Sequence, residues 1–337
     1  MMDNVWNVSK APPLSDPIKF IFQQTNQRII NLLREEKPAS IVRIGGSDHE
    51  TYIHGSMKKE IYELNGYFDK ELDPEKEKEN FESIRNLYIK AMNNCNLVTV
   101  GGLSTLIKFG FVPEQQAQFS KSEKEFLKHI SNDVPICHWD MICLNYENNF
   151  FLNVFPELQD KKICVISSFT DDIKEQLERR EKLFQNKCEN TRVGLVYQNF
   201  KYPAFKSVEY IKVPLCYSKY KTRKNFQAPF QNSMELYNDL CRQIAETEAE
   251  VYLVGAGMYA NLLCDFIKEQ GGIGINCGSS IQLFFGLLGN RFKYLEDQNV
   301  TNEFWKYPDL KKCIMYVSKE EMGGYSMDGI GAYTKDT

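Results

Sequence analysis

Residues 251–277 read VYLVGAGMYANLLCDFIKEQGGIGINC, and this stretch decides the fold. Val251–Gly255 is a short apolar run, too short for a helix and bounded by glycine, which predicts a buried strand. Gly255, Gly257 and Ala260 follow in a G-x-G-x-x-A turn. Met258–Gln270 then carries apolar residues at helical spacing, and GIGIN (272–276) predicts a second strand. Two strands joined through a helix cannot form a hairpin. They run parallel, and a parallel sheet must be covered on both faces.

The same alternation extends outward. Ser15-Asp16-Pro17 predicts a helix start, with a capping residue, an acid and a proline near the first turn, and the helix runs to about Glu36. SIVRI (40–44) predicts a strand. Helices are predicted over 74–94, 120–131, 170–184 and 232–247. Strands are predicted at 97–102, 134–137, 161–167, 192–197 and 209–214. The class is therefore α/β, a Rossmann-like, mostly parallel sheet with helices on both faces. Residues 1–37 are expected to pack a helical segment on the core. Residues 38–310 form one domain, and 311–337 an extension that is either a lid or a tail.

Composition narrows the function. Hydrophobic residues are 42%, aromatics 13% and charged residues 26%, the balance of a folded chain. The formal charge of −4 argues against nucleic acid as a partner. No stretch reaches the roughly 20 apolar residues of a membrane helix. The N-terminus lacks a secretory pattern, which predicts a cytoplasmic protein. Ten cysteines include no C-x-x-C, so free thiols are expected, with Cys95, Cys164 and Cys264 as packing residues. Cys277 is expected to line the site, beside the loop that follows it. Asn7-Val8-Ser9 and Asn299-Val300-Thr301 are then chance glycosylation triplets.

In parallel sheets, ligands bind at the carboxyl ends of the strands. After SIVRI come Gly45, Gly46, Asp48 and Glu50. Two carboxylates two residues apart suit a hard divalent cation, Mn²⁺ or Mg²⁺, and Arg43 suits a diphosphate. The competing reading is a glycine turn with Asp48 capping a helix. His49 and His54 are surface or packing residues. The Gly255, Gly257 and Tyr259 turn suits a phosphate at a helix N-terminus. A dinucleotide site also wants an acid about 20 residues on, and the strand ends instead in Asn276. Ser279, Ser280 and Gln282 offer hydrogen bonds to a nucleotide or sugar, with Arg291 near the same edge. Ser168 follows another strand, where Thr170, Asp171 and Asp172 read mainly as a helix start. Asp140 and His138 are candidate bases.

Taken together, these pieces resemble the GT-D type glycosyltransferases. RIGGSDHE is similar to the R-x-G-x-G-E/D-x-E neighbourhood of that family, and VISSFTDDIKEQLERREKLF to its middle strand-helix segment. The run from VGAGMYANLL through GSSIQLFFGLLGNRF to NEFWKYP looks like its C-terminal half, with Trp305 and Pro308 fitting its tail. The resemblance covers most of residues 38–310, in patches. Family members often show an acid or His where this chain has Asn276, and Glu321–Tyr325 only approximates their glycine-rich tail. The resemblance implies a nucleotide-diphosphate sugar donor, a glycan or glycoprotein acceptor, and Asp48 and Glu50 on metal and diphosphate. The alternatives are a Rossmann-type NAD(P) or S-adenosylmethionine enzyme using the Gly255 loop, and a non-catalytic nucleotide-binding relative.

Overall fold

The structure is a computed structural model that describes residues 16–44, 67–70, 73–100, 136–138, 150–184, 200–215, 229–289 and 301–314. The fold is α/β and Rossmann-like. Its strands are β1 (Ala39–Ile44), β2 (Leu97–Val100), β3 (Ile136–His138), β4 (Lys162–Ser167), β5 (Ser207–Lys212), β6 (Val251–Gly255) and β7 (Ile273–Asn276). They form a seven-stranded sheet in the order β3-β2-β1-β7-β6-β4-β5, with every pairing parallel. The helices are α1 (Asp16–Glu35), α2 (Pro74–Asn94), α3 (Phe150–Asn153), α4 (Thr170–Leu177), α5 (Arg180–Leu183), α6 (Ser233–Ala245), α7 (Tyr259–Glu269) and α8 (Ser280–Phe284).

Local chemistry starts the longer helices. The Asp73 side chain accepts from Glu75 N–H at 2.9 Å ahead of Pro74, whose missing N–H is not needed there. At α6, Asn232 accepts from Glu235 N–H at 3.0 Å, and the Glu235 carboxylate accepts from Gln231 N–H at 2.7 Å. The second bond reaches the residue before the cap, one position short of a capping box, and still ties the entering chain to the first turn.

The central strands β4, β6 and β7 are largely buried on both faces, as a covered parallel sheet requires, while the edge strand β5 (SVEYIK) is mostly half-buried. Ile163 and Val165 of β4 join one core with Ile41, Leu253 and Ile275, beneath α1, α3, α4 and α8. Cys164 and Ile166 face the other way and join Val42, Val98 and Val254 beneath α2, α6 and α7. The crossover from β4 to β5 thus runs over one face, and that from β6 to β7 over the other. β4 and β6 are neighbours, and their last residues, Ser167 and Gly255, pair. The chain diverges there, which opens the crevice where doubly wound sheets bind ligands.

Two departures from the sequence reading stand out. The helix expected over 170–184 is two pieces, α4 and α5, with a turn at Glu178–Arg179. Arg179 N–H bonds Gln176 O at 3.0 Å, and Lys182 N–H bonds Arg179 O at 2.8 Å. On either side of the turn Leu177, Leu183 and Phe184 are all buried. The second is the segment 150–158, which the periodicity passes over. It forms α3 and a 3-10 turn whose Phe150, Phe151 and Phe155 pack with Phe184, Phe200, Tyr202 and Phe284. The elements expected at 120–131 and 192–197 lie outside the described residues. Among the described residues, no helix is long and apolar enough to cross a membrane.

Candidate functional site

β1 and β7 are hydrogen-bonded only between Ala39–Ile41 and Ile273–Ile275. Beyond that point β7 stays beside β6, while β1 runs on beside β2 to Ile44. Two neighbouring strands therefore part at their carboxyl ends. Asn261, from the first turn of α7, fills the gap. Its Oδ1 accepts from Arg43 N–H at 2.9 Å, and its Nδ2 donates to Arg43 O at 2.6 Å. Asn276, the last residue of β7, donates to Asn261 Oδ1 at 2.6 Å and accepts from Gly278 N–H at 2.9 Å.

Over this network lies the Arg43 guanidinium. A Cβ built on Gly278 falls 1.6 Å from Arg43 Nη1 and 2.8 Å from its Cζ. Gly278 also has φ +51, a conformation that disfavours side chains. Glycine is thus demanded twice, by the backbone and by the cation resting on it. Cys277 beside it is fully buried, with its thiol 3.4 Å from Ile275 O. Burial pushes that thiol up to about 12, against the pull of the nearby Arg43 charge. The expectation that Cys277 lines the site is therefore corrected: it packs behind it. Cys95, Cys164, Cys241, Cys264, Cys277 and Cys313 are free thiols, and Cys95, Cys164 and Cys264 are packing residues as expected.

The other glycine turn plays a different part from the one its pattern suggests. A Cβ on Gly255 would lie 2.6 Å from Ile281 Cγ2 and 2.9 Å from Gly278 O, so this glycine admits the 278–281 turn rather than a phosphate. Gly257 is exposed, with φ +55. Two amides at the start of α7 are already engaged: Tyr259 N–H with Ala256 O at 3.1 Å, and Ala260 N–H with Gly257 O at 3.2 Å. Tyr259 itself is buried in the core. Both count against a dinucleotide in this loop, since such a site works through open amides.

Of the remaining candidates, Ser279 is half-exposed beside Gly278, and Ser168, after β4, is 8% exposed. Ser280 and Gln282 are turned inward. The Ser280 hydroxyl and both amide atoms of Gln282 are buried without a hydrogen-bond partner. Such groups cost about 1–3 kcal/mol each, which makes them natural holders of an ordered water or a ligand hydroxyl. His138 closes β3 and stands in register with Val100 and, one strand further, Ile44. That is roughly 10 Å across two strand spacings. Gly45, Gly46, Asp48, Glu50, Asp140 and Arg291 lie outside the described residues.

The third candidate segment is structural. Asp172 of α4 is 1% exposed as a side chain and pairs with Lys306 at 2.7 Å and Lys312 at 3.5 Å. Glu175 pairs with the same two lysines, and the hydrogen bonds from Lys306 and Lys312 hold its carboxyl down to about 2. Asp171 meets Lys212 at 2.6 Å. Together these ion pairs moor residues 306–312 to α4. The site signal that periodicity missed is Asn261. It is a polar residue in an otherwise apolar turn, Ala260–Leu263, where a buried amide must have partners.

No family model and no curated protein matches the chain. The chain is similar to a solved structure described as "Selenomethionine substituted structure of domain of unknown function 1792 (DUF1792)", at 13% identity over 77% of this chain and 82% of that chain, with a TM-score of 0.38. A likeness this distant assigns no activity.

Proposed function

We propose that the protein is a metal-dependent glycosyltransferase that moves a sugar from a UDP- or GDP-linked donor to a glycan or glycoprotein hydroxyl. The observation that carries the reading is the Arg43 guanidinium lying over the Gly278 turn, at the carboxyl edge of a parallel sheet. Asp48 and Glu50 follow five and seven residues along the same strand exit. A cation and two carboxylates leaving one strand end are the parts a nucleoside diphosphate needs. The donor set of Asp48 and Glu50 fits a hard divalent ion, since both ligands are anionic oxygens.

The roles then divide by chemistry. Mn²⁺ or Mg²⁺, when bound, supplies positive charge for the diphosphate leaving group. Arg43 stabilises the same oxygens from the sheet side, through donors suited to paired phosphate oxygens. Ser279 orients the donor with its hydroxyl, on a turn whose Gly278 N–H is held by Asn276. Asp140 or His138 takes the proton of the acceptor hydroxyl if stereochemistry inverts. The protein works in the cytoplasm on this reading.

The test is a thermal-shift panel. UDP- and GDP-sugars with Mn²⁺ are expected to stabilise the protein, and NAD(P) or S-adenosylmethionine to leave it unchanged. Asp48→Ala and Glu50→Ala are expected to abolish donor hydrolysis or transfer while staying folded. Full activity in both variants would overturn the metal assignment.

A further inference from the structure

We propose that Asn261 and Asn276 form a carboxamide clamp, that it sets the distance between the two arms of the donor site, and that both are positioning residues for it. One arm is the exit of β1, at Arg43 and Ile44. The other is the turn Cys277–Ser279. The role in catalysis rests on the glycosyltransferase reading; the clamp itself rests on geometry alone.

Where β1 leaves β7, the backbone of Arg43 loses its ladder partner on that side. Asn261 replaces a whole strand at this one position by serving both the N–H and the C=O of Arg43. Asn276 extends the chain of bonds to Gly278 N–H. Four hydrogen bonds of 2.6–2.9 Å thus run from β1, through α7, to the turn under the Arg43 guanidinium. Both amides are buried, Asn261 at 3% and Asn276 at 6% exposed, so water does not compete well for them.

The directions of these bonds are unique. Asn261 Oδ1 takes two donors, Arg43 N–H and Asn276 Nδ2, so flipping that amide would set an NH₂ against two N–H groups. Asn276 must likewise keep its oxygen toward Gly278 N–H. Only a carboxamide both accepts and donates with this spacing. An aspartate keeps the acceptor and loses the donor. Arg43 is therefore held twice relative to the turn, once through its backbone and once through its guanidinium, and the amide relay fixes the first of these.

The experiment uses the full chain with Asn276→Ala, Asn261→Ala, Asn276→Asp and Asn261→Asp. Amide hydrogen exchange is followed in the free protein, and hydrolysis of a UDP- or GDP-sugar with Mn²⁺ gives kcat and KM. In Asn276→Ala, exchange at both Gly278 and Arg43 is expected to quicken about tenfold, although Arg43 touches Asn276 only through Asn261. Asn276→Asp is expected to restore protection at Gly278 but not at Arg43, and it stands in if an alanine variant fails to fold. For turnover, kcat is expected to fall about tenfold with KM within about twofold, because a misplaced diphosphate lowers reactivity more than binding. Unchanged exchange at Arg43 in the Asn276 variants would overturn the clamp. Faster exchange with unaltered kcat and KM would overturn its positioning role. A wild type that turns over no nucleotide sugar would overturn the donor site and the catalytic role resting on it, and exchange would still decide the clamp.

Discussion

Two glycines of this fold share a positive φ and differ in what surrounds them, and substituting alanine at each isolates the work of Arg43. At Gly278 (φ +51) a Cβ lands 1.6 Å from Arg43 Nη1, whereas at Gly271 (φ +93) it meets nothing within 4 Å. An L residue with positive φ costs about 1–2 kcal/mol. A stiffer unfolded chain returns about 0.4–1 kcal/mol of that. Both variants should therefore lose about 1 kcal/mol. For 337 residues the unfolding entropy is about 0.7 kcal/mol/K, so each Tm should drop by only about 1–2 °C. Function should separate them. In Gly278→Ala the guanidinium must retreat by about 2 Å to reach ordinary contact, which would cost the proposed charge-assisted hydrogen bond to a phosphate oxygen. That bond is worth about 1.5–3 kcal/mol, or roughly 10- to 150-fold in Kd. Calorimetric titration with UDP- or GDP-sugar and Mn²⁺ reads the difference: Gly271→Ala should bind as wild type, and Gly278→Ala should be weaker by at least tenfold. Equal Kd values for the two variants, with matching small Tm losses, would remove Arg43 from the diphosphate site.

Two further outcomes follow from the charges and thiols. Glu175 is held below its ordinary range by Lys306 and Lys312, so its stabilisation is present above about pH 4.5 and is lost as pH falls through about 2. Glu175→Gln should melt below wild type near neutral pH, with the gap closing on acidification between roughly pH 5 and 2; a gap constant across that range by circular dichroism would refute the pairing. Cys277, sealed in the core, should resist iodoacetamide in the native protein whether or not nucleotide is present, while half-buried Cys313, whose thiol burial also raises to about 12, labels earlier through access alone. Mass spectrometry showing prompt native labelling at Cys277 would contradict its burial.

Much of the fold was legible because a covered parallel sheet writes itself as short apolar runs. KICVIS buries Cys164 and Ile166 on one face and Ile163 and Val165 on the other, so its four central residues had to be apolar. Capping chemistry set the start of α2 at Pro74 for the same kind of local reason. What was not legible is long-range. Nothing in GIGIN states that it will lie between SIVRI and VYLVG, because strand order depends on which crossovers pack best. The G-x-G-x-x-A turn was misleading because a glycine admitting a neighbouring backbone and a glycine admitting a phosphate look alike in sequence; only the 2.9 Å approach of Gly278 O distinguishes them. Arg43 was found by its position at a strand end. Asn261 was not, since its partner is a gap between strands that exists only in three dimensions.

The strand order has a further consequence, for synthesis. Among the described residues β7 is the last strand along the chain, yet it lies between β1 and β6. A nascent chain that has emerged only as far as α7 holds two half-sheets, β3-β2-β1 and β6-β4-β5, each with an open inner edge. Exposed strand edges of this kind invite pairing with other chains. The four residues Ile273–Asn276 close both edges at once and bring Asn276 and Gly278 to Arg43 in the same step. Completion of the sheet and assembly of the site are thus one event, late in translation, and a ribosome stalled before residue 273 would release a chain that possesses neither.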